Sequence, residues 1–254
     1  MLFDSHAHLD LMEENELKSA LAKAKEIGVT GIVSCATSFY SNEKTLELAK
    51  IYKQIKPAIG LYPLDALELS EIELDKAFYF FRAEITKAIA IGEVGLDYKY
   101  STKPEDQEKQ VKILTKFISL SKKFNKPLIL HSRFAQKQVL NLLIEQKAEK
   151  VLLHSFVDSP KLMKQAVEKG YFVSVGLNLL KNEETQKNIK DFPLENLLFE
   201  TDSPIRFFGE KAYPEKIRVL VDQVAVLKKI TPKEVEEQTA KNFEKLFQPI
   251  KTIK

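Results

Sequence analysis

Cysteine is nearly absent from this chain of 254 residues, in which Cys35 is the single thiol. One thiol cannot form an intramolecular disulfide, so small secreted domains held together by disulfides are excluded. Cys35 lies in the apolar run from residue 31 to residue 36. We therefore expect a small buried core residue in a protein of a reducing compartment.

Long apolar runs and a strong charge of one sign are missing as well. No stretch approaches the roughly 20 apolar residues that span a bilayer, and no basic leader with an apolar segment opens the sequence. The net charge is only +3, from 39 basic and 36 acidic side chains, so the charge predicts no broad nucleic-acid-binding surface. The sequence predicts a cytoplasmic protein without membrane association, and it indicates no obligate protein partner.

Glycine-rich nucleotide-binding signatures are not found near the first strand-like run, and the chain has only 8 glycines. What the chain does have is a regular alternation of strand-like runs and amphipathic helical segments from end to end. Eight such repeats predict a single domain over residues 1–254, an α/β fold of the (β/α)8 TIM-barrel type. An open, doubly wound sheet is the alternative. The predicted strands lie near residues 2–6, 29–36, 57–61, 88–93, 127–131, 150–154, 171–175 and 196–201.

Two helix starts are marked by capping residues. Ser159 followed by Pro160 is typical of an N-cap and the first helical position. Thr231, with Glu234 three residues later, has the pattern of a capping box. Both patterns support the predicted boundaries.

Histidine is scarce, and all four histidines stand where a strand-like run ends. Successive strand residues point to opposite faces, so His6 and His8 project to the same side. His131 and His154 close two other apolar runs, and the acids Glu93 and Asp202 follow two more. A lone residue of this kind is more often a hydrogen-bonded structural residue or a helix cap. Together, at the strand ends where barrel enzymes carry their catalytic groups, they predict a divalent-metal site.

Longer motifs surround these residues and follow one another in a fixed order. They are Asp4-Ser5-His6-Ala7-His8-Leu9-Asp10, residues 91–98 around Glu93, Leu130-His131-Ser132-Arg133, His154-Ser155-Phe156, Glu200-Thr201-Asp202-Ser203-Pro204 and residues 242–247. The chain thereby resembles the TatD-type metal-dependent deoxyribonucleases of the amidohydrolase superfamily over nearly its whole length. The resemblance implies that His6, His8 and Asp202 hold one metal, that His131 and His154 hold a second, and that Glu93 bridges them.

The sequence departs from the family pattern at four places. The family usually has a Gly-x-His-Pro-His-like segment with a substrate-binding histidine, whereas this chain has Tyr62, which cannot carry the positive charge. Tyr62 can still donate a hydrogen bond to a phosphate. The other departures are Phe134, the pair Val157-Asp158 and the pair Ile205-Arg206.

The metal site predicts hydrolysis by a metal-activated water. In this hypothesis Asp202 also accepts the proton of the attacking water, and Glu93 holds the spacing of two divalent ions. Nitrogen ligands favour Zn, whereas carboxylates and waters suit Mg or Mn, so the identity of the ions stays open.

Two arginines follow predicted ligands, and the planar guanidinium suits phosphate oxygens. We therefore predict that Arg133, Arg206 and Tyr62 bind the substrate, although a surface salt bridge is the ordinary alternative for Arg206. The leading interpretation is a deoxyribonuclease, with the family resemblance suggesting a 3′-5′ exonuclease on single-stranded or frayed ends. The alternatives are a metal-dependent hydrolase of an ester, amide or lactone bond, and a binding protein with a structural metal.

Overall fold

Strands form where the apolar runs predict them. The computed structural model describes residues 1–157 and 159–247, so Asp158, half of one departure named above, lies outside the described residues. The strands of the main sheet are β1 (Leu2–Ala7), β2 (Val29–Cys35), β3 (Ile55–Ile59), β4 (Ala90–Asp97), β5 (Leu128–Arg133), β6 (Val151–Leu153), β7 (Phe172–Val175) and β8 (Leu197–Phe199).

The eight strands lie side by side in their sequence order, and every neighbouring pair is parallel. The segment after β8 meets the end of β1 through the backbone bonds Asp202 N to His6 O, 3.0 Å, and His8 N to Ser203 O, 2.6 Å. The Ser5 hydroxyl also donates to Phe199 O across 2.8 Å. These bonds close the sheet into the predicted (β/α)8 barrel, and the doubly wound alternative is wrong because its strand order is not sequential.

Helices alternate with the strands and cover the outside of the barrel. They are α1 (Glu14–Glu26), α2 (Phe39–Ile51), α3 (Pro63–Leu67), α4 (Glu71–Glu84), α5 (Pro104–Phe124), α6 (Gln136–Glu145), α7 (Pro160–Glu168), α8 (Glu183–Asp191), α9 (Ile217–Lys228) and α10 (Pro232–Leu246). A short hairpin, β9 (Arg206–Phe207) with β10 (Glu210–Lys211), follows β8. Within the described part of the chain, no helix is long and apolar enough to cross a membrane.

Both predicted helix starts are confirmed. The Ser159 hydroxyl accepts a hydrogen bond from Leu162 N, and Pro160 opens α7. Thr231 and Glu234 form a complete capping box at the start of α10. Each cap satisfies backbone N–H groups that have no partner inside the helix.

Helix α10 closes the end of the barrel that lies opposite the predicted ligands. Its Phe243 stacks on Phe3 of β1 with ring centroids 4.1 Å apart, and Phe247 packs beside it. The amide of Asn242 donates to the carbonyl oxygens of Leu194 and Leu197, at 2.7 and 2.8 Å. Cys35 is fully buried in the same interior cluster, as expected.

Strand β4 extends farther than predicted, to Asp97 instead of Glu93. The extension depends on Gly95, whose φ of +151° is a conformation that other residues rarely adopt. A Cβ at this position would also overlap the carbonyl of His131 on β5. The glycine therefore lets β4 and β5 pair closely beside two predicted ligands.

Candidate metal centre

The six predicted ligands come together at the carboxyl ends of the barrel strands. His6 belongs to β1, Glu93 to β4 and His131 to β5, whereas the other three stand in the segments that follow β1, β6 and β8. Because parallel strands of a closed barrel end at the same rim, residues far apart in sequence become neighbours. The six residues are His6, His8, Glu93, His131, His154 and Asp202, and three overlapping groups of them have ligand atoms within 4.8 Å of one another.

One set of ligand atoms consists of two imidazole nitrogens and two carboxylate oxygens. Nε2 of His6 and Nε2 of His8 are 3.1 Å apart. Oδ1 of Asp202 lies 3.3 Å from the first nitrogen and 3.2 Å from the second. Oε2 of Glu93 lies 3.7 and 3.4 Å from the same two nitrogens.

A second set lies on the other side of Glu93. Its Oε1 is 2.7 Å from Nδ1 of His131 and 3.7 Å from Nε2 of His154. The two oxygens of one carboxylate thus face two different pairs of histidines. This is the arrangement that a carboxylate shared between two cations requires.

The spacing in the first set fits a cation at its centre. Four ligands about 2.1 Å from one ion, at the corners of a tetrahedron, lie about 3.4 Å apart. The distances around His6, His8, Glu93 and Asp202 run from 3.1 to 3.7 Å. Nitrogen and oxygen lone pairs at such spacing repel one another unless protons or a cation lie between them. The donor set therefore suits a divalent metal.

Charge in this cluster holds both carboxyl groups in the ionised form that ligands need. Burial opposes ionisation of Glu93, but the nearby imidazoles of His131, His6 and His154 outweigh it and hold its pKa well below the usual range. For Asp202 burial is likewise outweighed, mainly by hydrogen bonds from His6 and His8, and its pKa is also strongly lowered. Both carboxylates are available for cation binding over the physiological pH range.

Hydrogen bonds on the far side of each ring orient two of the histidines. Nδ1 of His8 donates to the carbonyl of Cys35 across 2.8 Å, which turns Nε2 toward the cluster. Nδ1 of His154 pairs with Oε2 of Glu200 at 2.9 Å, and the Ser174 hydroxyl donates to the same oxygen at 2.5 Å. Burial opposes protonation of His154, but the Glu200 charge outweighs it and raises the pKa to about 10. Carboxylate partners of this kind also make an imidazole a more basic ligand.

His131 is oriented by Asp97, which also binds the tyrosine of the altered motif. Nε2 of His131 lies 3.2 Å from Oδ2 of Asp97, and the Tyr62 hydroxyl donates to the same oxygen at 2.8 Å. The other oxygen of Asp97 accepts the backbone N–H groups of Lys99 and Tyr100. Because Asp97 accepts the proton on Nε2, Nδ1 of His131 is left for the cluster.

Asp4 fixes the segment that carries Asp202. Its carboxyl oxygens accept the backbone N–H and the hydroxyl of Thr201, at 3.0 and 2.5 Å. It is completely buried, and that burial raises its pKa to about 8. Asp202 itself has a φ of +55°, an uncommon conformation for a residue other than glycine. The bonds at Thr201 stabilise this backbone and aim the Asp202 side chain at the cluster.

Sequence reasoning missed Asp4, Asp97 and Glu200, although all three lie inside the motifs that it singled out. The period-two alternation that paired His6 with His8 places Asp4 on the same face of β1. Glu200 stands two residues before Asp202, and Asp97 stands four residues after Glu93. Extending the alternation rule by one step, from His6 to Asp4 and from Asp202 to Glu200, would have found two of them, whereas Asp97 requires that β4 continue past Glu93.

The three predicted substrate residues lie in different surroundings. Arg133 is exposed at the end of β5, with its guanidinium 5.1 Å from the centre of the Tyr100 ring, and it lines the space above the cluster. Tyr62 lies at the cluster, but its hydroxyl proton is used by Asp97. Arg206 donates to the carbonyl of Gly209 in the β9–β10 hairpin at 2.8 Å. Its neighbours Ile205 and Phe207 are the ones that face the site.

Two cavities open above the cluster, and Arg133 stands where they meet. One measures about 360 Å³ and is called here the Asn178 cavity. The other measures about 310 Å³ and is called the Tyr62 cavity. Both are bounded by His131, Arg133, His154, Asp202 and Ile205.

Known proteins are similar to this chain in sequence and in fold. A family model described as TatD related DNase matches residues 3–248. The chain is 34% identical to human Deoxyribonuclease TATDN3, over 99% of this chain and 96% of that protein. It is 32% identical to the metal-dependent hydrolase YabD of Bacillus subtilis, over 97% and 99% of the two chains. The crystal structure of YJJV, a TatD homolog from Escherichia coli K12, superposes with a TM-score of 0.88 at 26% identity and covers 98% of both chains.

Proposed function

The chain belongs to the TatD related DNase family, and on that premise we propose that it hydrolyses phosphodiester bonds of DNA at the cluster of six ligands. The observation that carries this proposal is the position of Glu93, with one oxygen toward His6 and His8 and the other toward His131 and His154. A bridged pair of cations is suited to in-line displacement at phosphorus. We assign one ion to His6, His8 and Asp202 and a second to His131 and His154, with Glu93 between them.

Bound divalent ions supply Lewis-acid polarisation of a phosphoryl oxygen and a water that ionises near neutral pH. The protein supplies the rest. The ionised carboxylate of Asp202 accepts a proton from water at its exposed edge, where the side chain is 19% exposed. The guanidinium of Arg133 binds phosphate oxygens and orients the strand. Asp97 and Glu200 keep the imidazoles of His131 and His154 turned toward the cluster.

The proposed ions are Mg, Mn or Zn. Four imidazole ligands favour Zn, whereas two carboxylates and a partly open site suit Mg or Mn with bound water. The proposed substrate is single-stranded or frayed DNA, shortened from its 3′ end. The name of the human relative supports DNA as the substrate. The lone thiol of Cys35 supports a reducing compartment, the cytoplasm, as the place of action.

A hydrolase of ester, amide or lactone bonds is the second candidate. It is favoured by the Tyr62 cavity, where a tyrosine whose proton binds Asp97 stands in place of a cationic side chain. Carbonyl substrates carry less negative charge than a phosphodiester, so their binding requires fewer positively charged side chains around the metal centre.

One assay distinguishes the two candidates. Purified protein is incubated with labelled single-stranded DNA, with RNA and with a panel of small esters, each with Mg²⁺, Mn²⁺ or Zn²⁺. We expect metal-dependent shortening of DNA that is lost in His131→Ala and Asp202→Ala and kept in the matched control Asp75→Ala, on the exposed face of α4. Activity on esters alone would overturn the nuclease proposal. DNA cleavage that survives both ligand substitutions would mean that the site is not responsible.

A further inference from the structure

The two cavities above the cluster differ in the charge of the walls that they do not share. The Tyr62 cavity is completed by Leu11, Thr37 and Asp65, besides Tyr62 and two of the ligands. Apart from the ligands and Arg133, the charged side chain that lines this cavity within the described part of the chain is Asp65. Glu68 lies close enough to Asp65 to raise its pKa, in addition to the effect of burial, so a second acid adds to the negative potential.

The Asn178 cavity has a neutral polar wall instead. Ser132, Ser155 and Asn178 line it, and all three carry hydrogen-bonding side chains without charge. Phe207 also lines it and belongs to the wall of a third cavity, of about 220 Å³. The charged side chains of that third cavity are Lys181, Lys211, Lys216 and Glu210. Lys211 is paired with Glu16 at 2.8 Å, so Lys181 and Lys216 are the lysines offered to an anion here.

Lysines and aromatic rings continue the route beyond Phe207. Nζ of Lys181 lies 4.6 Å from the centre of the Phe208 ring, and Phe208 is 54% exposed. Lysines attract backbone phosphates, and exposed rings offer a surface on which unpaired bases stack. This side of the centre therefore suits a polyanion, whereas the Asp65 side does not.

We propose that the two cavities divide the end of a DNA strand, with the terminal nucleoside in the Tyr62 cavity and the remaining strand over the Asn178 cavity, Phe207 and the lysines. The inference rests on the proposed function and adds a preference for strand ends that carry a free hydroxyl over ends that carry a phosphate. A terminal nucleoside with a free hydroxyl brings no charge beside Asp65. A terminal phosphate, or a further nucleotide with its phosphate, places negative charge against Asp65 and Glu68.

The consequence is an exonuclease that releases one nucleotide at a time and discriminates against phosphorylated ends. The acidic cavity accepts only the last nucleoside, because any longer product would bring another phosphate beside Asp65. Arg133, where the cavities meet, is left to bind the phosphate that is cleaved.

The test compares two single-stranded oligonucleotides of one sequence with a 5′ fluorophore, one ending in a 3′ hydroxyl and one in a 3′ phosphate. For the unmodified protein we expect kcat/KM on the phosphate end to be lower by about 10-fold or more, mainly through KM, because like charges meet on binding. The ratio of kcat/KM on the hydroxyl end to kcat/KM on the phosphate end should fall at high salt, because salt screens partly exposed charges. Asp65→Asn should bring the ratio toward one, and Asp65→Lys should favour the phosphate end.

The control variant is Asp75→Asn, which makes the same change of charge on the exposed face of α4. It should keep the discrimination of the unmodified protein. If the protein shortens both oligonucleotides equally, or if Asp65→Asn leaves the ratio unchanged, the division of the strand is wrong while the nuclease proposal stands. If no variant cleaves either oligonucleotide with any of the three metals, the nuclease proposal itself fails.

Discussion

The floor and the rim of the site are built in different ways. On the floor, His6, His154 and Glu93 are at most 9% exposed, and buried acids hold two of the histidine rings. On the rim, Arg133 is an exposed side chain at the end of β5, and Asp65 is an exposed side chain within the short helix α3. A side chain with several buried bonds has one arrangement, whereas an exposed one adapts to what binds it. The comparison predicts that substitutions on the floor lower kcat and metal affinity, and that substitutions on the rim change KM.

The largest effect is expected for Glu93→Gln on the floor. An amide cannot offer two anionic oxygens to two histidine pairs, so both halves of the centre lose their common ligand. We expect kcat to fall by on the order of 10³-fold or more, since metal catalysis supplies several kcal/mol and each 1.4 kcal/mol is tenfold. Steady-state kinetics on single-stranded DNA measures the loss, with the exposed Glu108→Gln as control. Substantial residual activity in Glu93→Gln would contradict the role given to its two oxygens.

Asp97→Asn and Glu200→Gln test the acids that hold the histidine rings of the floor in place. Each replaces the carboxylate partner of a histidine, at His131 and at His154. Loss of such a partner weakens metal affinity by about 10- to 100-fold. Calorimetric titration of chelator-treated protein with Zn²⁺ or Mn²⁺ gives the affinity directly. Unchanged metal affinity in both variants, with unchanged thermal unfolding, would show that the two acids do not orient His131 and His154 for metal binding.

Arg133→Lys moves the comparison to the rim. Lysine keeps the charge but lacks the planar fork that binds two phosphate oxygens. We expect KM for DNA to rise by about tenfold, the loss of one charge-assisted hydrogen bond, with kcat nearly unchanged. Arg82→Lys, exposed on α4, is the matched control. A fall in kcat without a change in KM would assign Arg133 to the floor.

The smallest effect is expected for Tyr62→Phe, at the border between the two regions. The substitution removes the hydroxyl that donates to Asp97 and leaves the ring beside His131. The hydroxyl acts on the metal only through Asp97 and His131, and Asp97 keeps its other hydrogen bonds, so we expect an effect of about 1 kcal/mol, a fivefold weaker metal affinity. Tyr79→Phe, whose ring is 73% exposed, serves as control in the same titration. If KM for DNA rises while metal affinity stays constant, the hydroxyl binds substrate directly.

The same comparison separates what sequence could predict from what it could not. The alternation of strand residues was enough to place His6 beside His8, and the position of strand ends was enough to bring the other ligands to the same end of the barrel. Asp97 was not predicted because β4 continues past Glu93 through Gly95, and a hydrophobic pattern does not reveal the conformation of this glycine. Strand periodicity therefore predicts the floor, except where a glycine changes the path of the backbone.

The rim depends on turns and loops, and periodicity carries little information about them. Arg206 follows the Ser-Pro segment as expected, but the hairpin turns its guanidinium toward Gly209 and its neighbour Phe207 toward the site. The contrast between the acidic Tyr62 cavity and the lysines of the third cavity arises from Asp65 and from residues more than a hundred positions later, which only the closed barrel brings to one surface. Such a juxtaposition follows from tertiary structure alone.

The stacking of Phe243 on Phe3 has a consequence for synthesis of the chain. The first strand is synthesised early, yet Phe3 packs on a helix near the other end of the sequence. Ser5 binds β8, and His6 binds the segment that follows β8. Contacts between such distant segments slow folding, because the intervening chain must be ordered first. We expect the nascent polypeptide to expose an apolar edge on the ribosome until translation passes α10, which makes that interval the one in which chaperones matter most.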